Sequence, residues 1–403
     1  MSARPVICFL TGTLDALAGA ERVTAVVASA LAARGYTVHV LALWGEQSCF
    51  PLHPDVRLHA LHAVRPSFKR RYLATVRGIR AYLKKHGIDV LVGVDTMLAW
   101  FTWPAALGLP VRQIAWEHCN FDEDLGRRSR RVARRLAASR FDAVVVLTER
   151  DRARWLEALS PRVPVVAIPN PLPFAVDTPA DNATDDTANE AADTAMGTDI
   201  DGAAANVGSK ASQEFRASTD TRVNPPLVLA VGRLIPAKGF DILLRAWQQL
   251  TVQYPAWRLR IVGEGEARPA LEALRDQLGL TDTVTLPGAT PDVLQHYRAA
   301  SVFCLSSRYE GFGLVLIEAM ACGLPVVSAD CPTGPHEILA DTGAGLLVPP
   351  DDATALAEAL ARVMGDGELR ARLGTQGRLA ARRYREPAVV AAWETLLQTL
   401  NQD

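Results

Sequence analysis

The residues best suited to chemistry concentrate in one string, Glu310-Gly311-Phe312-Gly313-Leu314-Val315-Leu316-Ile317-Glu318. It follows an apolar run, Ala300 to Leu305, that ends in Ser306-Ser307 and reads as a buried strand. Leu314, Ile317, Met320 and Ala321 then recur at helical spacing until Gly323-Leu324-Pro325 closes the segment. Strand, glycine-rich turn, helix and a further strand make a parallel α/β crossover. A helix opening on Gly-Phe-Gly presents open backbone N–H groups and the positive end of its dipole, an anion site suited to phosphate. Glu310 lies in the turn and Glu318 in the second turn of the helix, and carboxylates accept hydrogen bonds from sugar hydroxyls. The unit therefore suits a sugar joined to a diphosphate. A second turn, Gly232-Arg233-Leu234-Ile235-Pro236-Ala237-Lys238-Gly239, runs from a strand into a helix with two cations five residues apart. Arg233 as a fork and Lys238 as a mobile point charge can clamp a diphosphate.

These strings carry a resemblance. EGFGLVLIEAMACGLPVV, with its Glu-x7-Glu spacing, resembles the donor site of retaining glycosyltransferases of the GT-B fold. These are the family-four enzymes of the group that builds bacterial surface polysaccharides, and G-R-x-x-x-x-K-G resembles the phosphate clamp of that family. The resemblance covers the chain except residues 177–222. It implies an α/β, GT-B architecture: two doubly wound parallel-sheet (Rossmann-like) domains facing across a cleft. It implies a retaining, metal-independent hexosyltransferase that moves a hexose or N-acetylhexosamine from a nucleotide sugar, by expectation a UDP-sugar. The acceptor implied is a lipid-linked or growing saccharide at the inner membrane face. No cofactor beyond the donor is expected, and no metal ligands are assigned.

The resemblance also distributes roles. Glu310 is expected to hold the transferred sugar and Glu318 the ribose. Arg233 and Lys238, with the N–H groups of Phe312, Gly313 and Leu314, are expected to stabilise charge growing on the leaving diphosphate, and Gly311 is expected to line the donor site beside them. Gly19, ahead of Glu21-Arg22, resembles the glycine-rich loop that nears the donor phosphates from the first domain, although the neighbouring positions are Ala18 and Ala20. His118 ends a strand in Trp116-Glu117-His118-Cys119-Asn120 and is expected beside the reacting carbon. Gly263 in Val262-Gly263-Glu264-Gly265 is expected near the nucleotide, and Leu286 and Pro287 near the base. The same Gly-x-Gly does not read as a dinucleotide fingerprint, because Arg268 stands where its third glycine belongs. Cys331-Pro332-Thr333-Gly334-Pro335-His336-Glu337 makes a tight turn before a helix, and resembles members that use UDP-linked hexoses or N-acetylhexosamines.

Around these residues the chain alternates strand and helix. Val6–Leu10, Thr37–Leu43, 90–94, 111–116, 143–147 and 165–168 read as buried strands of a first domain, residues 1–176. A second domain, 223–386, has strands at 227–231, 258–262, 284–286, 301–305 and 326–328. Residues 387–403 read as a last helix, which the resemblance implies returns to the first domain. Between the domains, 177–222 is rich in Asp, Ala, Thr, Asn and Ser, and is expected to be a disordered acidic insertion. Its Asp199-Ile200-Asp201 matches a metal motif of another glycosyltransferase fold and reads as an accident of low complexity.

The 403 residues carry a net charge of −1, which hides an asymmetry. Residues 1–176 hold 24 Lys/Arg against 14 Asp/Glu, and the remainder 19 against 30, so the halves are suited to different partners. Arg127-Arg128-Ser129-Arg130-Arg131 with Arg134 and Arg135, and Lys69-Arg70-Arg71 with Arg77, Arg80, Lys84 and Lys85, read as amphipathic helices for an anionic lipid surface. No nucleic-acid module accompanies them. With no apolar span of about 18 residues and six scattered cysteines, the expected location is cytoplasmic, peripheral at the inner membrane face. Two other readings compete: a nucleotide-sugar epimerase on the same fold, and a non-catalytic sugar-nucleotide-binding protein.

Overall fold

The computed structural model describes residues 4–174 and 225–402. The first domain contains strands β1 (Ile7–Thr11), β2 (Val38–Ala42), β3 (Arg57–Ala60), β4 (Val90–Val94), β5 (Arg112–Trp116), β6 (Ala143–Val146) and β7 (Val165–Ala167). Helices α1 (Gly19–Ala33), α2 (Phe68–His86), α3 (Ala99–Ala106), α4 (Arg128–Arg140) and α5 (Glu149–Leu159) lie between them. The second domain contains β8 (Leu227–Val231), β9 (Arg258–Val262), β10 (Val284–Gly288), β11 (Val302–Leu305), β12 (Val326–Ala329) and β13 (Gly345–Val348). Its helices are α6 (Phe240–Leu250), α7 (Arg268–Gln277), α8 (Leu294–Ala299), α9 (Leu314–Ala321), α10 (Gly334–Leu339), α11 (Ala353–Gly365) and α12 (Gly367–Ala381), before the last helix, α13 (Glu386–Gln402).

Central strands such as Ile7–Thr11 and Val90–Val94 are continuous apolar runs because helices cover both faces of a parallel sheet. The seven-stranded sheet runs β3-β2-β1-β4-β5-β6-β7 and the six-stranded sheet β10-β9-β8-β11-β12-β13, every pairing parallel. Strand order reverses between β1 and β4 and again between β8 and β11. In open α/β sheets ligands bind outside the carboxyl ends of the strands at such reversals. The expected α/β, two-domain architecture is what the chain adopts.

Two strands escape the sequence reading, β3 and β13. Both are sheet edges, partly exposed, so Arg57-Leu58-His59-Ala60 and Gly345-Leu346-Leu347-Val348 lack the long apolar signature of a central strand. The insertion expected at 177–222, with Asp199–Asp201, lies outside the described residues.

The two domains pack as one compact unit. Helix α13 leaves the second domain and lies along α1. Its Trp393 is fully buried, with ring centroids 6.2 Å from Phe9 and 4.8 Å from Trp116. Arg34 of the first domain, just past α1, pairs with Glu386 at 2.7 Å. None of the six cysteines is disulfide-bonded.

Candidate active site

On the second domain, the turn after β11 brings Glu310 against Lys238 from the turn after β8. Lys238 Nζ lies 2.6 Å from Glu310 Oε1, and the Ser307 hydroxyl donates to the same oxygen at 2.6 Å. The two turns touch because Gly239 has no side chain; a Cβ there would run into the Ser306 carbonyl. Helix α9 starts at Leu314, three residues later than a helix opening on Gly-Phe-Gly would, and Gly313 caps it with φ +91°. Phe312 is 3% exposed and packs edge-on against Tyr384, with centroids 5.5 Å apart, which fixes the turn from below. The result is a carboxylate and an ammonium at the mouth of a helix whose first N–H groups have no intrahelical acceptors.

Arg233 is exposed; burial raises the pKa of Glu21 on α1, and the charge of Arg233 offsets part of that rise. Gly19 is exposed with open space where a Cβ would project, so the chain could be approached closely there. Gly263 and Gly265 have a structural cause that the sequence did not disclose. A Cβ on either would strike the carbonyl of Gly232 or Leu234, so these glycines let the turns after β8 and β9 pack together. Arg268 binds Glu264 and Glu272 along α7 and donates to the carbonyls of Gly263 and Leu286. Leu286 and Pro287 lie on edge strand β10, where a proline costs no ladder hydrogen bond on its open side.

Glu318 is more enclosed than a ribose-binding carboxylate needs to be. It is 2% exposed, its Oε1 pairs with Arg22 Nη1 at 2.9 Å, and its Oε2 accepts from the Tyr297 hydroxyl at 2.7 Å. Burial raises its pKa, while Arg22 and Tyr297 pull it back. Arg22 comes from the first turn of α1, so this ion pair joins the two domains. A ribose at Glu318 has to displace Arg22 or share its oxygen.

The first domain contributes the segment after β5. Gly311 lies flush on the His118 carbonyl, where any Cβ would collide. His118 packs on Trp116 at 4.6 Å between centroids, and its Nε2 is buried without a partner. Burial holds the imidazole down to about 4, so it is neutral at pH 7 and cannot serve as a ready proton donor there. Beneath it, Glu117 is 1% exposed and meets Arg130 Nη1 at 3.0 Å and Arg134 Nε at 2.9 Å. Arg130 also forks onto both oxygens of Asp95, 2.9 Å to each. Asp95 ends β4 with φ +89°.

This corrects the expectation for α4. Arg130 is 4% and Arg134 1% exposed; they neutralise carboxylates at strand ends instead of facing lipid. The buried Glu117 carboxylate needs such partners to offset its desolvation, and the part-buried Asp95 shares one of them. Arg80 of α2 is likewise engaged, donating to the carbonyls of Ala105 and Leu107. Arg127, Arg128, Arg131 and Arg135, and on α2 Arg70, Arg71, Arg77, Lys84 and Lys85, remain exposed. Asp95, Glu117 and Cys119 bring potential metal-ligating atoms within 4.8 Å of one another, but the Arg130 guanidinium already supplies the positive charge there.

The two-domain fold is that of the GT-B glycosyltransferases. Residues 17–175 match the model described as Glycosyltransferase Family 4, and residues 211–380 the model described as Glycosyl transferases group 1. The chain is a glycosyltransferase. It is 28% identical to an uncharacterized glycosyltransferase of Haemophilus influenzae over 391 residues, 97% of this chain and 99% of that protein. It is 36% identical over 162 residues to LpsE of Rhizobium meliloti, a lipopolysaccharide core biosynthesis glycosyltransferase; that match spans 40% of this chain and 46% of LpsE. Among solved structures, sucrose-phosphate synthase from Thermosynechococcus elongatus superposes with a TM-score of 0.77 at 23% identity, covering 99% of this chain and all of that one. HepE of Anabaena, solved with UDP and glucose, gives 0.72 at 19% identity, covering 98% and 99%.

Proposed function

We propose that the protein transfers a hexose or N-acetylhexosamine from a UDP-sugar to a saccharide hydroxyl, retaining the α configuration, in the assembly of a surface polysaccharide or related glycan. The observation that carries this reading is the Lys238–Glu310 pair at the mouth of α9, at the carboxyl ends of the second sheet. Lys238 and Arg233 supply positive charge for the leaving diphosphate, and a preorganised cation costs no reorganisation when that charge develops. Glu310 is left to accept hydrogen bonds from the transferred sugar, Glu318 from the ribose. His118, neutral and with an open buried nitrogen, offers a hydrogen bond to a sugar hydroxyl and not a proton. Retention without a protein nucleophile is then front-face attack, with the leaving phosphate oxygen taking the acceptor's proton. These side chains do the work of charge stabilisation without a metal ligand set.

The names of the relatives support a polysaccharide or lipopolysaccharide acceptor, and the HepE complex supports a UDP-linked donor. The acceptor is proposed to be lipid-linked, presented at the inner face of the cytoplasmic membrane. The exposed arginines of α4, which line a surface groove with Val132, and the basic face of α2 are proposed to hold the protein there by charge. No helix among the described residues is long and apolar enough to cross a membrane. Incubation with a panel of UDP-sugars and saccharide acceptors tests the reading. Acceptor-dependent UDP release is expected for one donor. Sugar interconversion without UDP release means an epimerase, and binding without either means a non-catalytic protein.

A further inference from the structure

Glu310 is held by its backbone as well as its side chain. Its carbonyl accepts from Asn120 Nδ2 at 3.0 Å and from Thr333 Oγ1 at 2.7 Å. Two donors saturate the two lone pairs of a carbonyl, and both are buried, each 3% exposed. They come from opposite sides of the cleft: Asn120 follows β5 in the first domain, and Thr333 precedes α10 in the second. Thr333 has φ +75°, a conformation that costs a β-branched residue energy and persists only where the surroundings impose it. Asn120 is fixed in turn. Its Oδ1 accepts from the Glu123 N–H at 3.0 Å, and its carbonyl accepts from Arg134 Nη2 at 2.9 Å. Arg134 also holds the carbonyls of Phe121 and Glu123 and is anchored on Glu117.

We propose that Asn120 and Thr333 are positioning residues: they clamp the Glu310 carbonyl when the domains close, and so set the Glu310 carboxylate for transfer. This rests on the glycosyltransferase reading above. The chain of contacts runs from buried Glu117 through Arg134 and Asn120 to Glu310, so the internal ion cluster of one domain fixes a candidate sugar ligand on the other. Opening the cleft removes the Asn120 donor and frees the turn. Closure and placement are thereby one event.

Asn120→Asp tests this directly, because it keeps the size and the acceptor for the Glu123 N–H but loses the donor. Turnover is expected to fall about tenfold or more, the scale of a misplaced reacting group. The donor KM should stay within about twofold, since nucleotide contacts are untouched, and amide exchange in 309–313 should quicken. Thr333→Ala should behave alike and Thr333→Ser should restore turnover. Wild-type turnover with unchanged exchange in Asn120→Asp overturns the clamp. Absence of any UDP release by the wild-type protein, with exchange still responding to Asn120→Asp, instead overturns the catalytic reading and leaves the clamp standing.

Discussion

Glu310 and Glu318 carry the same charge at one spacing, yet their surroundings separate them. Glu318 is locked between Arg22 and Tyr297, whereas Glu310 faces a lysine at the open helix mouth. Glu318→Ala is therefore expected to weaken UDP binding by about 1.5–3 kcal/mol, the worth of a charged hydrogen bond. It should also lower Tm, because Tyr297 loses its acceptor; calorimetric titration and a melting curve check both. Asp151 gives a pH prediction. It is buried, accepts from the Phe121 N–H at 2.6 Å, and is pushed up to about 7. An unfolded aspartate titrates near pH 3.9, so between about pH 4 and 7 the folded state holds a proton the unfolded state lacks. This contribution to stability falls as pH rises through that window and is flat above it. His118, held down to about 4, acts oppositely, losing stability as pH falls below its ordinary range. Comparing wild type with Asp151→Asn isolates the aspartate: the wild-type Tm should gain on the variant on going from pH 8 to pH 5. An equal difference at both pH values would contradict it. Glu310, Glu318 and Lys238 were singled out because glycines and charges recur at fixed offsets in two short strings, 232–239 and 310–318. The partners of Glu318 were not, since Arg22 and Tyr297 lie 296 and 21 residues away in sequence.

At the scale of elements, helix α4 shows where sequence patterning misleads. Its buried stripe is Arg130, Ala133, Arg134, Ala137 and Ala138, while Val132 is 44% exposed. A hydropathy reading inverts these faces because it treats every arginine as solvated. The missing signal was across the sheet: Asp95 and Glu117 follow adjacent strands, and Glu117, being buried, needs a counter-charge. Arg134→Met is accordingly expected to cost roughly 3 kcal/mol, because buried Glu117 keeps only Arg130 as its partner and the carbonyls of Asn120, Phe121 and Glu123 lose a charged donor, read from a denaturant titration. Arg128→Glu with Arg135→Glu should leave stability within about 1 kcal/mol, as for exposed charges. The same pair should weaken binding to vesicles containing anionic lipid, and salt should weaken the wild-type binding. Equal binding to neutral vesicles would remove the membrane partner. Central strands were legible from their apolar runs. Edge strands β7 and β10 were legible too, but β3, where Arg57 and His59 break up the apolar residues, and β13, four residues opening on Gly345, were not.

For the whole molecule, α13 ties the two domains together, since Trp393 fills the space between Phe9 and Trp116. Trp393→Ala should cost about 3–5 kcal/mol, as for other buried aromatics replaced by alanine. Two parallel sheets, each reversing strand order once, leave their switch points to be joined by the turns that carry Lys238, Glu310 and His118. The central claim is that Glu310 serves the transferred sugar and not the nucleotide. Titrating UDP into Glu310→Ala by calorimetry, beside its initial rate with the best UDP-sugar, tests this most directly. UDP should bind within about twofold of wild type, or tighter because Lys238 is freed, while turnover drops about a hundredfold. A variant that loses UDP affinity, or that keeps near-normal turnover, contradicts the account.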